Sequence, residues 1–173
     1  VGTMEPRKNL PNILTAFERL VAGGDNCFLV VAGETGWKTN ALQVKMKSGN
    51  LQSHVIQTGF VSRGSLKRIY ENALCLLFPS FYEGFGFPIL EAMSLGTPVI
   101  TSNRGSMKEI AGDAALLVDP NQVDEIEGAM RRILESPGLA DQLKERAKSR
   151  SAMFSWQKCA ESVLDVFCRI SNN

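Results

Sequence analysis

The chain has 173 residues, 19 Lys plus Arg against 18 Asp plus Glu, a single His and four Cys, with 44% hydrophobic residues. That is enough chain for one domain whose core needs no disulfide or metal staple, and a net charge near +1 removes any global electrostatic case for nucleic acid as partner. The longest apolar runs, 28–32 and 73–78, fall far short of the ~20 residues that cross a bilayer, and the opening residues carry no signal-peptide pattern.

Val1-Gly-Thr3 reads as the end of a strand that begins upstream, which predicts that the chain is a fragment of a longer protein. Leu10, Ile13, Leu14, Phe17, Leu20 and Val21 follow helical spacing, and Gly23-Gly24 stops that helix. A strand apolar on both faces is expected over 28–32, then a short helix over 41–48 and a second strand over 54–58. The next helix, 65–73, carries Leu66, Ile69 and Tyr70 on one side. A fully apolar strand at 75–78 stops at Pro79-Ser80; a Gly- and aromatic-rich loop follows, and a helix starts near Pro88. Strands at 98–101 and 114–118 flank a short helix at 106–111. Val123, Ile126, Met130, Ile133 and Leu134 form a helical stripe, and two helices from about Leu139 and Ser155 close the chain.

Strands apolar on both faces, alternating with helices, predict an α/β fold: a doubly wound, Rossmann-like parallel sheet of about six strands covered on both sides. Ligands of such folds bind outside the carboxyl ends of the strands. The stretches of interest are therefore 3–8, 33–36, 59–62, 79–87 and 102–106.

Several chemistries are not indicated. With one His and no C-x-x-C pair, a zinc site has no ligand set, and no Asp-x-Asp pair points to a divalent cation. All four Cys are expected to be reduced and structural. Cys27 and Cys75 lie in apolar runs, and Cys159 and Cys168, nine positions apart, fall on opposite faces of a helix. His54 opens a strand, a poor place for a catalytic triad.

The loop from Pro79 to Glu91 is the richest. Gly84 and Gly86 let a ligand approach the backbone, and the N–H groups around Phe85 to Phe87 point out of a helix N-terminus, a ready anion site. Glu83 stands before that helix and Glu91 about one turn inside it. An ionised carboxylate accepts hydrogen bonds from hydroxyls, so the combination reads as phosphate plus polyhydroxyl, a nucleotide-sugar. The loop alone also fits a plainer reading, with Glu91 a solvated helix residue and both glycines turn formers. Of the aromatics Phe78, Phe81, Tyr82, Phe85 and Phe87, at least half are expected in the core.

The run Glu83-Gly-Phe-Gly-Phe-Pro-Ile-Leu-Glu91-Ala-Met-Ser-Leu-Gly-Thr-Pro-Val resembles the E-x7-E signature of the retaining glycosyltransferases of family 4. Val1-Gly-Thr-Met-Glu-Pro-Arg7-Lys8-Asn9 resembles that family's first strand and basic diphosphate loop, Gly59-Phe60-Val61 its nucleobase loop, and Ser155-Trp156 its closing helix. Essentially the whole chain is covered. The resemblance implies that Glu83 holds hydroxyls of the donor sugar and Glu91 those of the ribose, while the backbone of Gly84, Phe85, Gly86 and Phe87 approaches sugar and diphosphate. Lys8 matches the family's Lys on the diphosphate. The family's Arg position falls on Thr3, with Arg7 as the alternative, so the implied catalytic groups are Glu83, Lys8 and Arg7. Gly33 and Leu90 complete the implied nucleotide site; Phe60 and Val61 either border the base, mostly through backbone contacts, or form a plain strand-to-loop transition. Glu34 either reaches the nucleotide or is a surface carboxylate; Arg63 and Arg104 either assist phosphate or are solvated.

Enzymes of this family pair two doubly wound domains in the GT-B arrangement, and this sequence resembles only the C-terminal, donor-binding one. The implied reaction is transfer of a hexosyl group from a nucleotide-sugar to an acceptor hydroxyl with retention, in polysaccharide or glycan assembly. The isolated domain is expected to be slow or inactive. The implied partners are UDP or a UDP-sugar of glucose type, with a GDP-sugar such as GDP-mannose as the alternative, a glycan acceptor and the N-terminal domain. No cofactor or metal is implied. Location is expected to be cytoplasmic, with any membrane contact made through the other domain. Two other readings are a non-catalytic nucleotide-sugar-binding subunit and a dinucleotide-binding domain; against the latter, no G-x-G-x-x-G follows the first strand.

Overall fold

The computed structural model describes residues 1–37 and 39–171. A 3-10 turn, Pro6–Lys8, leads into helix α1 (Leu10–Ala22), then β1 (Leu29–Ala32), α2 (Asn40–Met46), β2 (Val55–Gly59), α3 (Arg63–Asn72) and β3 (Leu76–Phe78). After these come α4 (Phe87–Ser94), β4 (Val99–Ser102), α5 (Gly105–Ala111), β5 (Leu116–Val118), α6 (Val123–Glu135), α7 (Pro137–Ser151) and α8 (Trp156–Ser171). Every element read from the pattern after the leading strand is present, with bounds displaced by a residue or two.

The five strands among the described residues are all parallel, as expected, but they form two ladders rather than one sheet of about six. β1 pairs with β2, and β4 runs between β3 and β5. The expected leading strand survives only as a segment lying beside the end of β1. Gly2 N–H donates to Ala32 O at 2.8 Å, Met4 N–H donates to Glu34 O at 2.9 Å, and Met4 bridges to Thr35. Between the ladders, where a further strand would join them, is a cavity of about 660 Å³ lined by Val1, Phe17, Val31, Leu76, Leu77 and Ile133 among others.

The β3–β4–β5 ladder is covered on both faces because its side chains alternate. Leu77, Ile100, Leu116 and Val118 face a cluster built with α1 and α6, while Leu76, Phe78, Val99 and Leu117 face one built with α3, α4, α5 and α7. All four residues of β4 are buried, and Thr101 spends its hydroxyl on Phe78 O at 2.9 Å. The first ladder departs from the expected two-sided cover. Val30 is 38% and Ile56 48% exposed, and residues 56–59 face solvent throughout.

The remaining expectations divide. Cys27 and Cys75 are free and partly buried, and burial first, then Cys27, pushes the Cys75 thiol up to about 12, so it is an inert packing group. Of the loop aromatics only Phe78 is buried, a correction to the expected core majority. Phe85 instead packs on Phe87 (4.8 Å between ring centres) and edge-on to Phe154, and Phe87 stacks on Trp156 at 6.0 Å. This aromatic row meets the core through Phe154 and ties the loop to the start of α8, a helix with no buried residue. No helix among the described residues is long and apolar enough to cross a membrane.

Candidate functional site

The site lies at the carboxyl ends of the strands, where α/β folds present their loops. The loop after β3 turns through Gly86, whose φ of 104° is a left-handed conformation that glycine adopts without strain, and α4 starts at Phe87 with Pro88 in its first turn. A Cβ on Gly86 would also press on Ile89 at 3.2 Å, whereas the space over Gly84 is open. No side chain caps α4; Pro88 has no N–H, and Ile89 N–H turns back to Gly86 O at 2.9 Å.

Arg7 and Lys8 reach this loop through Asn9. That residue is buried, holds the left-handed φ of 59° between the 3-10 turn and α1, and donates through Nδ2 to Pro79 O at 3.0 Å and Pro120 O at 2.6 Å. Phe81 N–H adds a bond to Arg7 O at 2.8 Å. Residues some seventy positions apart are thereby stitched side by side, with Lys8 held over the Phe78 ring at 4.5 Å.

Both cations close on Glu83. Lys8 Nζ donates to Oε1 at 2.9 Å, the Arg7 guanidinium to Oε2, and the Ser80 hydroxyl to Oε1 at 3.1 Å. Ser106 holds the Glu83 carbonyl at 2.8 Å, and Glu5 accepts from Arg7 Nε at 2.7 Å. Burial alone acts to lower the Arg7 pKa, but Glu83 and Glu5 outweigh it and raise it. The three implied catalytic groups thus form one cluster, although the resemblance gives the carboxylate and the cations separate roles.

Glu91 sits in the second turn of α4, exposed, and accepts from the hydroxyl of buried Tyr70 at 3.1 Å. Thr97 donates to Tyr70 O at 2.8 Å and fixes the end of α3 against α4. Burial, then Glu91, raises the Tyr70 pKa, so the hydroxyl keeps its proton and remains a donor. Tyr70 and Asn9 are the partners that sequence reading left unassigned. The sequence sets Tyr70 on an apolar helix stripe, where its one polar atom carries no separate signal.

The other candidates fall as follows. Thr3 is exposed over Gly36, and Leu90 packs against the core beneath α4. Gly33 is needed by the fold itself: a Cβ there would stand 2.2 Å from Gly2 O. Phe60, 79% exposed, and half-buried Val61 follow β2 at the sheet edge. The Glu34 carbonyl pairs with Met4, and its side chain is on the surface. Arg104 bonds Asp119 at 2.7 Å, and Arg63 is exposed at the start of α3.

Comparisons with known proteins bear on the family and the fold. The family described as glycosyl transferases group 1 matches residues 1–150. The chain belongs to that family. It is 36% identical over 168 residues to the O-antigen chain mannosyltransferase B of Escherichia coli, covering 96% of this chain but only 44% of that protein. Among solved structures, it superposes on the C-terminal domain of a glycosyl transferase group 1 protein (LpcC) from Francisella tularensis with a TM-score of 0.79. Identity there is 22%, covering 88% of this chain and 82% of that one. Anabaena Alr3699/HepE, solved with UDP-glucose, gives a TM-score of 0.83 at 16% identity, covering 97% of this chain and 48% of that one. The fold is that of the Rossmann-like C-terminal half of GT-B glycosyltransferases, and the chain spans less than half the length of its mannosyltransferase relative.

Proposed function

We propose that this chain is the donor-binding domain of a hexosyltransferase, holding a nucleoside-diphosphate sugar at the Glu83–Glu91 loop. The observation that carries the reading is the convergence of Arg7, Lys8 and the uncapped start of α4 on the loop that bears Glu83. Anionic phosphates suit such a place, and the flanking carboxylates suit the hydroxyls on either side of them.

The chemistry follows from those charges. The bond between the anomeric carbon and the diphosphate oxygen breaks as the acceptor hydroxyl oxygen forms its bond to that carbon and passes its proton to the departing diphosphate. Negative charge grows on the leaving diphosphate, and Lys8, Arg7 and the α4 N-terminus are preorganised to meet it. The proposal has no metal ion in it, because those groups carry the charge themselves. Retention at the anomeric carbon and an acceptor glycan are parts of the same proposal. Groups that grip the acceptor belong to the rest of a longer protein, facing this domain.

The donor base and sugar divide between two readings. A UDP-sugar of glucose type has the support of a fold neighbour solved with UDP-glucose. A GDP-sugar carrying mannose has the support of a much more similar relative, a mannosyltransferase, and mannose is the sugar we favour. Calorimetry of the 173-residue chain with UDP, GDP and ADP, each also as its sugar conjugate, tests the proposal. At least one nucleoside diphosphate and its conjugate should bind; no binding of any of them at millimolar concentration would sink it. Titration with NAD separates the dinucleotide reading, and none should bind.

A further inference from the structure

Arg7 and Lys8, the two cations assigned to the diphosphate, are already engaged. Both end on the Glu83 carboxylate, which is only 10% exposed and also accepts from Ser80, and Glu5 takes the remaining side of Arg7. Two cations and two carboxylates leave the cluster without net charge. An incoming diphosphate meets no open positive site, but a pair of cations bound to an internal anion.

We propose that Glu83 is the specificity-determining residue of this site because it stands in for the ligand's own anion: a diphosphate binds by drawing Arg7 and Lys8 off Glu83. The carboxylate so released is then free to accept from hydroxyls of the group attached to that diphosphate. This inference rests on the donor-site reading above. A bare diphosphate competes for the same donors and leaves a nearly buried carboxylate with Ser80 as its remaining partner, a costly state. A diphosphate that carries a sugar supplies hydroxyl donors in place of the lost cations. The site therefore prefers the conjugate through a penalty on the bare form, and discrimination is a difference between two affinities.

The surroundings permit the exchange. Ser106 holds the Glu83 main chain, so only the side chain need turn, and the space over neighbouring Gly84 is open. Lys8 keeps its seat over the Phe78 ring without help from Glu83, and Asn9 anchors the segment that carries both cations. The cations are thus placed independently of the anion they release.

The experiment compares the wild-type chain with Glu83→Gln by calorimetry, using inorganic pyrophosphate, UDP, GDP, UDP-glucose and GDP-mannose. In the variant, pyrophosphate and the bare nucleoside diphosphate should bind about tenfold more tightly than in wild type, the effect of freeing a charge-assisted bond. The sugar conjugate should lose its advantage over the bare form. Adding Arg7→Met and Lys8→Met together to the variant should abolish the gain. Unchanged or weaker binding of pyrophosphate by Glu83→Gln, or a gain that survives loss of both cations, overturns the proposal. If neither protein binds any of the five ligands, the donor-site reading itself falls and takes this inference with it. Should Glu83→Gln fail to fold, wild type decides: a bare diphosphate that binds as tightly as its own sugar conjugate overturns the proposal.

Discussion

The two ladders are made from similar material and end up in different states. β4 is buried along its whole length between β3 and β5, and apolar side chains leave it toward both flanking helix layers. β1 and β2 contain the same kinds of residue, yet Val30 and Ile56 are open to solvent, and a cavity separates them from β3. A strand's burial is thus set by what its neighbours cover, and its own sequence states only what it could bury. The loop with Glu83 and Glu91 stands on the well-covered ladder, whereas Phe60 and Val61 follow the open one. The loop proposed to meet the phosphates therefore stands on the covered ladder, and the groups proposed to meet the base follow the exposed one.

Matched core deletions test this contrast most strongly. Ile100→Ala removes a fully buried side chain from the middle of β4 and should cost about 4 kcal/mol in denaturant unfolding. Ile56→Ala, on the open ladder, should cost less than about 1 kcal/mol. Equal losses would erase the distinction between the ladders. Next in size is Asn9→Ala, at about 3 kcal/mol, because it abandons two carbonyls and puts a Cβ residue of low left-handed propensity at φ 59°. Asn9→Gly relieves the backbone part alone, so a smaller loss there apportions the two causes.

Two site substitutions complete the series. Glu91→Ala should weaken every nucleotide about tenfold, since it removes an acceptor assigned to the ribose. Tyr70→Phe should weaken ribonucleotides about threefold and leave their 2′,3′-dideoxy forms unchanged, because the hydroxyl acts only by orienting Glu91. Equal losses for both kinds of sugar would reduce Tyr70 to a packing residue.

Much of the fold was legible because period and punctuation are local. Gly23 ends α1, Pro88 opens α4, and the alternation of Leu116, Leu117 and Val118 states a strand covered on two sides. The division into two ladders was not legible, since β1 carries the apolar pattern of an interior strand whether or not a neighbour fills its second edge. At the site, the residue types of Glu83, Glu91 and Lys8 and the spacing of the loop were enough to suggest phosphate beside hydroxyls. That Arg7 and Lys8 meet on Glu83, and that Asn9 and Tyr70 hold the parts in place, depends on contacts between residues distant in sequence.

The opening composition, 19 basic against 18 acidic residues, determined that no global field could attract an anion, and the local motifs determined the class of fold and the loop that bears its chemistry. Tertiary structure alone decided how the few relevant charges are spent. Folding places two cations within reach of one carboxylate, and opposite charges brought together in a largely buried place satisfy each other.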